Sequence, residues 1–162
     1  MINYVTRIDN FWQEELSTHI YAREVPFVAK NFEHLDKDYY NSGYLLQSFN
    51  EELLCTEQFK GVLDAHTASV SWTCIMPNVI LPTHKDTFYT LRQEYNIEIE
   101  QCFRYLIFLE DAKFGHYVGF ENENITDFKA GDVWKFDSTE LHYASNASNT
   151  NFHTCQVSTF TL

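Results

Sequence analysis

The chain has 162 residues, 44% hydrophobic and 17% aromatic, with 11 Lys and Arg against 23 Asp and Glu for a formal net charge of −12. That length sustains one domain with a sizeable core, and the composition excludes a disordered chain. The cations are scattered singly, which excludes an electrostatic footprint for nucleic acid, and no apolar run reaches the length of a signal peptide or a membrane span. A soluble cytoplasmic protein with no membrane or nucleic-acid partner is expected.

In chain order, helix signals come first. Asp9 is a candidate N-cap for a helix over Phe11 to Tyr21, with Glu14 and Glu15 in the first turns, where the helix dipole favours them. Residues 24–50, rich in Tyr, Asn and Asp, read as irregular structure with at most a short strand. A second helix is expected from Glu51 to Asp64, placing Leu53, Leu54, Phe59 and Leu63 roughly on one side.

After residue 66 the signals change to strands. Ala68 to Met76 alternates small or polar with apolar residues, and Cys102 to Leu109 is a dense apolar run of the kind that is covered on both faces. Short strands follow at His116 to Phe120, Ile125 to Phe128, Val133 to Phe136 and Phe152 to Phe160. Turn-forming clusters separate them at Gly115, Glu121 to Asn124 and Ala130 to Asp132. The expectation is a single, mostly β domain over 1–162. Residues 1–66 would form helical or irregular support, and 67–162 a jelly-roll core with the N-terminal helices packed outside.

Cys55, Cys74, Cys102 and Cys155 lack close spacing and read as reduced, buried small hydrophobes, with a structural zinc site as second choice. Asn124 and Asn146 match the glycosylation pattern, which carries no weight without an export signal.

Three residues carry the chemistry. His84 and Asp86 lie two apart, so an extended strand turns both side chains the same way, and Pro82 suits a strand start or edge. His142 follows at a separation long enough to cross a jelly roll and return. Two imidazoles and a carboxylate are the set that holds non-haem Fe(II) on one face of an octahedron, leaving the other open. The competing reading is that these are ordinary histidines bonded to backbone.

Elsewhere, His19 and His34 are expected to face solvent, and His66 to mark the helix-to-strand junction. His116 is expected at a cross-strand surface position, with pocket lining as the alternative. Trp134 and Phe136 read as core. Arg92 either reaches substrate or faces solvent, and Asn146 is either a donor supporting His142 or a turn residue. Arg104 either enters the site or pairs with Glu100. Residues 88–99 and 115–124 are expected as loops at the pocket rim. No Ser-His-Asp or reactive-Cys constellation is present.

Three segments carry a family resemblance: Thr73 to His84, Arg104 to Leu109, and Phe128 to Asp137 leading into His142. Over about Val70 to Phe160 the chain resembles the iron(II)- and 2-oxoglutarate-dependent oxygenases, most of all the aspartyl/asparaginyl β-hydroxylase and prolyl hydroxylase-like branch. The resemblance implies a double-stranded β-helix with Fe(II) on His84, Asp86 and His142, 2-oxoglutarate as co-substrate, and O2. It assigns Thr73 and Arg104 to the co-substrate and implies hydroxylation of an amino-acid side chain, free or in a peptide.

One position departs from the pattern. Where such enzymes place an arginine about ten residues past the distal histidine, this chain has Phe152 and His153, and no Lys or Arg follows Lys135. Arg104 or a protonated His153 would then have to anchor the carboxylate, or 2-oxoglutarate is not used. The alternatives are a jelly-roll metalloenzyme with the same triad but a different co-substrate, and a non-catalytic β-domain that binds a ligand or partner. Oligomeric state stays open.

Overall fold

The structure, a computed structural model, describes residues 1–9, 12, 23–26, 44–50, 63 and 69–161, with 23–26 and 44–50 as backbone only. Among them lie eleven strands in two antiparallel sheets and one α-helix. The strands are β1 (Asn3–Arg7), β2 (Arg23–Pro26), β3 (Tyr44–Asn50), β4 (Ser69–Ile75), β5 (Val79–His84), β6 (Cys102–Phe108), β7 (His116–Phe120), β8 (Asn124–Ile125), β9 (Asp132–Asp137), β10 (His142–Asn146) and β11 (Phe152–Phe160). The helix, α1, covers Tyr89–Tyr95.

The large sheet has the order β1-β9-β6-β11-β4-β3-β2 and the small one β5-β10-β7-β8. Strands β4 to β11 alone fill four positions in each sheet, and the chain passes between them as a jelly roll does. This is the jelly roll that the strand spacing suggested, a double-stranded β-helix. Strand β1 extends it past β9, and β3 and β2 extend it past β4.

Paired residues of an antiparallel sheet share a face, so register assigns every side chain. Leu106 and Phe108 of β6, Phe136 of β9, Phe152 of β11 and Ile75 of β4 face inward and meet Val79, Leu81, Val118, Phe120 and Ala144 of the small sheet. The opposite face of the large sheet is also covered: Val70, Trp72, Tyr105, Ile107, Cys155 and Val157 pack there with Trp12 and Leu63. Trp12 is 1% exposed, and its Nε1 donates to the Leu109 carbonyl at 2.7 Å. Cys74, Cys102 and Cys155 are buried free thiols, as expected.

Two expectations change, and a third falls outside the described residues. The helices over 11–21 and 51–64 fall outside the described residues, apart from Trp12 and Leu63, as do His19, His34, His66 and Cys55. Residues 24–50 contain two paired strands, because lying alongside β4 supplies the ladder that local composition does not advertise. Residues 89–95 form a helix, not a loop. It buries Leu91 against Phe88, Cys102 and Phe160, and ends at Asn96 in the left-handed conformation (φ 49°).

Gly131 shows why a turn glycine is needed. Its φ is +90°, and an added Cβ would lie 2.1 Å from the Ile8 carbonyl oxygen. That close approach lets the Ile8 amide donate to the Gly131 carbonyl at 2.9 Å and seats the end of β1 beside β9.

Candidate metal centre

A β-bulge aims His84. In the β5–β10 ladder His142 pairs with His84 and Ala144 with Leu81, so Tyr143 on β10 stands opposite both Pro82 and Thr83 on β5. Leu81 belongs to the inner core. Strict alternation from Leu81 would turn Thr83 inward and His84 outward, and the extra residue reverses this. The location suits Pro82, which has no N–H to give a ladder and lies on the edge strand of the small sheet. The expected shared strand for His84 and Asp86 is therefore corrected: β5 ends at His84, and Asp86 lies in the link to α1.

The three side chains nevertheless converge. His84, Asp86 and His142 present ligand atoms that all lie within 4.8 Å of one another. The Asp86 carboxylate approaches both imidazoles, with Oδ1 3.9 Å from His84 Nε2 and Oδ2 3.7 Å from His142 Nε2. The rings are tilted by 52° with centroids 4.3 Å apart.

Both imidazoles are held in one tautomer. His84 Nδ1 lies 2.7 Å from the Pro82 carbonyl oxygen, and His142 Nδ1 lies 3.1 Å from that of Glu140. A carbonyl only accepts, so each Nδ1 carries a proton, which leaves Nε2 as the atom available to a metal. This is the backbone support usual for ligating histidines. Burial lowers the pKa of His142 against the opposing pull of Asp86, keeping the ring in the neutral form that binds metal. Phe136 and Phe120 pack against that ring, with centroids at 4.8 and 5.8 Å.

The donor set fits a divalent transition metal. Ligand atoms about 2.1 Å from an ion and at right angles to it lie about 3 Å apart, so the two Asp86 separations exceed that spacing by less than about 1 Å. The side chains of Asp86 and His142 are 10% exposed and that of His84 is 40% exposed, which leaves one side of the cluster open.

Arg104 is brought to the cluster and not to Glu100. It projects inward from β6, and its Nη1 forms a 2.8 Å ion pair with Asp86 Oδ2 that is not a well-directed hydrogen bond. Nη1 also donates to Gln156 Oε1 at 2.7 Å and Nε to Ser158 Oγ at 3.0 Å, while the guanidinium lies 5.3 Å over the Phe88 ring. Phe88 adopts φ 48°, ψ 33°, a conformation that costs a bulky residue on the order of 1 kcal/mol or more. Asp86, Arg104, Ser71, Ser158, Phe88 and Thr87 line part of a cavity of about 480 Å³; of the three candidate ligands only Asp86 reaches it.

The remaining candidates divide. Thr73 faces the interior at 1% exposure, and its hydroxyl has no hydrogen-bond partner among the described residues. His153 is corrected: it lies in register with Cys74 on the outer face of β11, its Nδ1 3.4 Å from Glu110. Asn146 is also corrected. It sits at the far end of β10, where its amide donates to the carbonyls of Ile75 and Thr150 and accepts from Ser148, a turn role. Arg92 lies on α1, partly buried, and does not line the cavity.

His116 is not a surface residue and does not line the cavity beside Asp86. It is 2% exposed and stacks on Phe152 at 4.5 Å. Trp134 is half-buried and meets Tyr4 edge-on, whereas Phe136 is core.

Gln156, Ser158 and Ser71 were not anticipated as parts of the site, whereas Phe88 begins the segment expected at the pocket rim. A signal existed for the first three: Ser69, Ser71 and Thr73 on β4, with Thr154, Gln156 and Ser158 on β11, form a period-two polar stripe through otherwise apolar strands.

No family model and no curated protein matches the chain. Among solved structures, a predicted oxalate decarboxylase from Thermotoga maritima is 20% identical, covering 74% of this chain and 83% of its own, with a TM-score of 0.46. The Cupin_2 domain of an XRE family transcriptional regulator from Enterobacter cloacae is 9% identical, covering 73% and 98%, with a TM-score of 0.46. Salicylate 1,2-dioxygenase from Pseudoaminobacter salicylatoxidans is 12% identical, covering 70% of this chain and 24% of that one, with a TM-score of 0.43.

These are cupin, decarboxylase and salicylate dioxygenase structures, not 2-oxoglutarate oxygenases, and the resemblance to the hydroxylase branch is corrected accordingly. The interior agrees. Phe152, at the place expected for a basic anchor, is fully buried in a ring stack with Phe108, Phe128 and His116, which leaves no seat there for a carboxylate.

Proposed function

We propose that this chain is a jelly-roll metalloenzyme in which His84, Asp86 and His142 hold one divalent transition-metal ion, with iron(II) the metal best suited to two imidazoles and a carboxylate. It acts on a small organic substrate admitted through the cavity beside Asp86. The observation that carries this reading is the convergence of His84 and His142, each with Nδ1 held by a backbone carbonyl, on the Asp86 carboxylate beside a cavity. Three residues arranged only for packing would not need both rings locked in the same tautomer.

A redox-active ion so held supplies O2 activation or Lewis-acid polarisation of a bound substrate. The chain's own residues do the rest. The bulge at Pro82 and Thr83 turns His84 inward, the β10 start presents His142, and Phe120 and Phe136 back its ring with an apolar wall. Ser71, Ser158, Thr87 and Arg104 offer polar groups to position a substrate.

The test is an anaerobic Fe(II) titration with metal content measured after desalting. The wild type is expected to retain one ion per chain. His84→Ala and His142→Ala are expected to lose more than about 100-fold in affinity, beyond the range seen for loss of an outer partner alone. A wild type that retains no metal, or a His142→Ala protein that binds it equally well, refutes the enzyme reading and leaves a non-catalytic β-domain.

A further inference from the structure

We infer that Cys74, His153 and Glu110 form a second reactive site, on the outer face of the large sheet: a thiol–imidazole pair, oriented by a carboxylate, in which hydrogen peroxide oxidises Cys74 to the sulfenic acid. The site shares no residue with the candidate metal centre and stands independently of the proposed function.

Strand pairing brings the three groups together. Cys74 and His153 are far apart in sequence, but β4 and β11 set them directly opposite each other. Such partners share a face, with Cβ atoms about 4.5–5.5 Å apart, and here the imidazole hydrogen-bonds the thiol. Glu110, just past the end of β6, completes the group. Its Oε1 accepts from the His153 backbone amide at 2.9 Å and lies 3.4 Å from Nδ1 of the ring, while Lys113 pairs with its Oε2. A nucleophile beside a base that a third group orients is the arrangement that activates a cysteine.

Electrostatics favours the same state. Burial works against a charged ring, yet Cys74 and Glu110 outweigh it and raise His153 to about 9, so the ring holds a proton at neutral pH. Of the neighbouring groups, Lys113 is paired with Glu110, and burial lowers the pKa of His116 and keeps it neutral. An imidazolium next to a thiol favours the thiolate. Buried cysteines are otherwise inert, as Cys102 should be: its thiol meets only the Glu98 carbonyl, at 3.6 Å, and burial pushes its pKa up.

The sulfur attacks one oxygen of the peroxide, so an S–O bond forms as the O–O bond breaks. The departing hydroxide takes the proton held by His153 and leaves as water. One thiol and one peroxide thus give one sulfenic acid and one water, with the sulfur oxidised by two electrons. Cys74 is 1% exposed, beneath side chains of His153 and Glu110 that are 25% and 18% exposed. A thiol so covered suits an oxidant as small and uncharged as hydrogen peroxide.

The test treats folded wild type with hydrogen peroxide, in buffer holding a chelator so that dissolved iron oxidises no thiol. Samples are quenched into denaturant containing dimedone, and peptide mass spectrometry reads each cysteine separately. At pH 6.5 Cys74 is expected to react at least about tenfold faster than Cys102. Its rate should change less than about threefold from pH 6.5 to 8, whereas the thiolate fraction of an ordinary thiol rises about 25-fold over that range. His153→Gln, its fold checked by circular dichroism and unfolding midpoint, should slow Cys74 at least about tenfold at pH 6.5, with the gap closing by pH 9.5.

Cys74 reacting no faster than Cys102 overturns the inference, as does a wild-type rate that climbs with pH like that of an ordinary thiol. A folded His153→Gln protein with an unchanged rate at pH 6.5 does the same. The first two results need no variant and decide the matter even where His153→Gln does not fold. None of them touches the metal reading, which the Fe(II) titration tests.

Discussion

Asp86 is held by a buried arginine before any metal arrives, and this fixes what its removal does to stability. In metal-free protein, Asp86→Ala strands a guanidinium whose side chain is 16% exposed. Breaking a fully buried pair from one side costs about 3–5 kcal/mol. Arg104 keeps its bonds to Ser158 and Gln156 and has some contact with solvent, so about 2–3 kcal/mol is expected here. At about 2–4 °C per kcal/mol for a chain of this size, the unfolding midpoint should fall by about 4–12 °C. Replacing both residues, as Asp86→Ala with Arg104→Met, removes the stranded charge and should recover most of the loss, giving a coupling of about 1.5–3 kcal/mol. Urea unfolding of chelator-treated wild type, both single variants and the double variant measures that cycle. An Asp86→Ala cost below about 0.5 kcal/mol, or single-variant effects that simply add, would refute the reasoning.

Deleting Thr83 should remove the extra residue of the β5 bulge and leave Leu81, Pro82 and His84 in regular alternation, so His84 stays inward opposite His142 and metal retention survives; loss of metal from a variant whose circular dichroism remains that of a folded β protein would contradict this register. Phe152→Ala should cost about 3–5 kcal/mol in urea unfolding, because the ring is fully buried between Phe108, Phe128 and His116. Glu110 and His153 set a pH window. Burial works against both charges, but His153 and Lys113 outweigh it to bring Glu110 down to about 2, and Cys74 and Glu110 outweigh it to bring His153 up to about 9. A depressed acid stabilises above its unfolded pKa and a raised base below its own, so the full contribution lies between about pH 4.5 and 6.5. It should decline as pH rises toward 9 and as it falls toward 2. Glu110→Gln keeps an acceptor for the His153 amide and should flatten much of the alkaline decline; a wild type equally stable at pH 6.5 and 9 would contradict this.

The candidate metal triad and the jelly roll were legible for different reasons. Strands β6, β7, β9 and β11 announce themselves as short apolar runs between Gly and Asn/Asp turns, and their regular spacing excludes crossover helices. His84 and His142 were found by residue type and order. Facing was harder. Both sides of the large sheet are covered, so β11 has little apolar alternation to show that even-numbered residues point inward and His153 outward.

The β5 bulge was illegible for a related reason: alternation assumes an unbroken ladder, and only pairing with β10 shows the extra residue. Arg104 lies beside Asp86, a partner that was not foreseen, since Asp86 reaches it from a link between strand and helix. The resemblance to the hydroxylases failed at Phe152, where the sequence already departed from their pattern.

The central claim is that one ion binds to His84, Asp86 and His142. A crystal grown anaerobically with Fe(II), with anomalous difference density collected on both sides of the iron absorption edge, tests it most directly. The account predicts a single strong peak about 2.0–2.2 Å from the two Nε2 atoms and an Asp86 oxygen. A peak elsewhere, such as beside Glu110, His153 and Cys74, or no peak at a site whose three side chains are ordered, would contradict it.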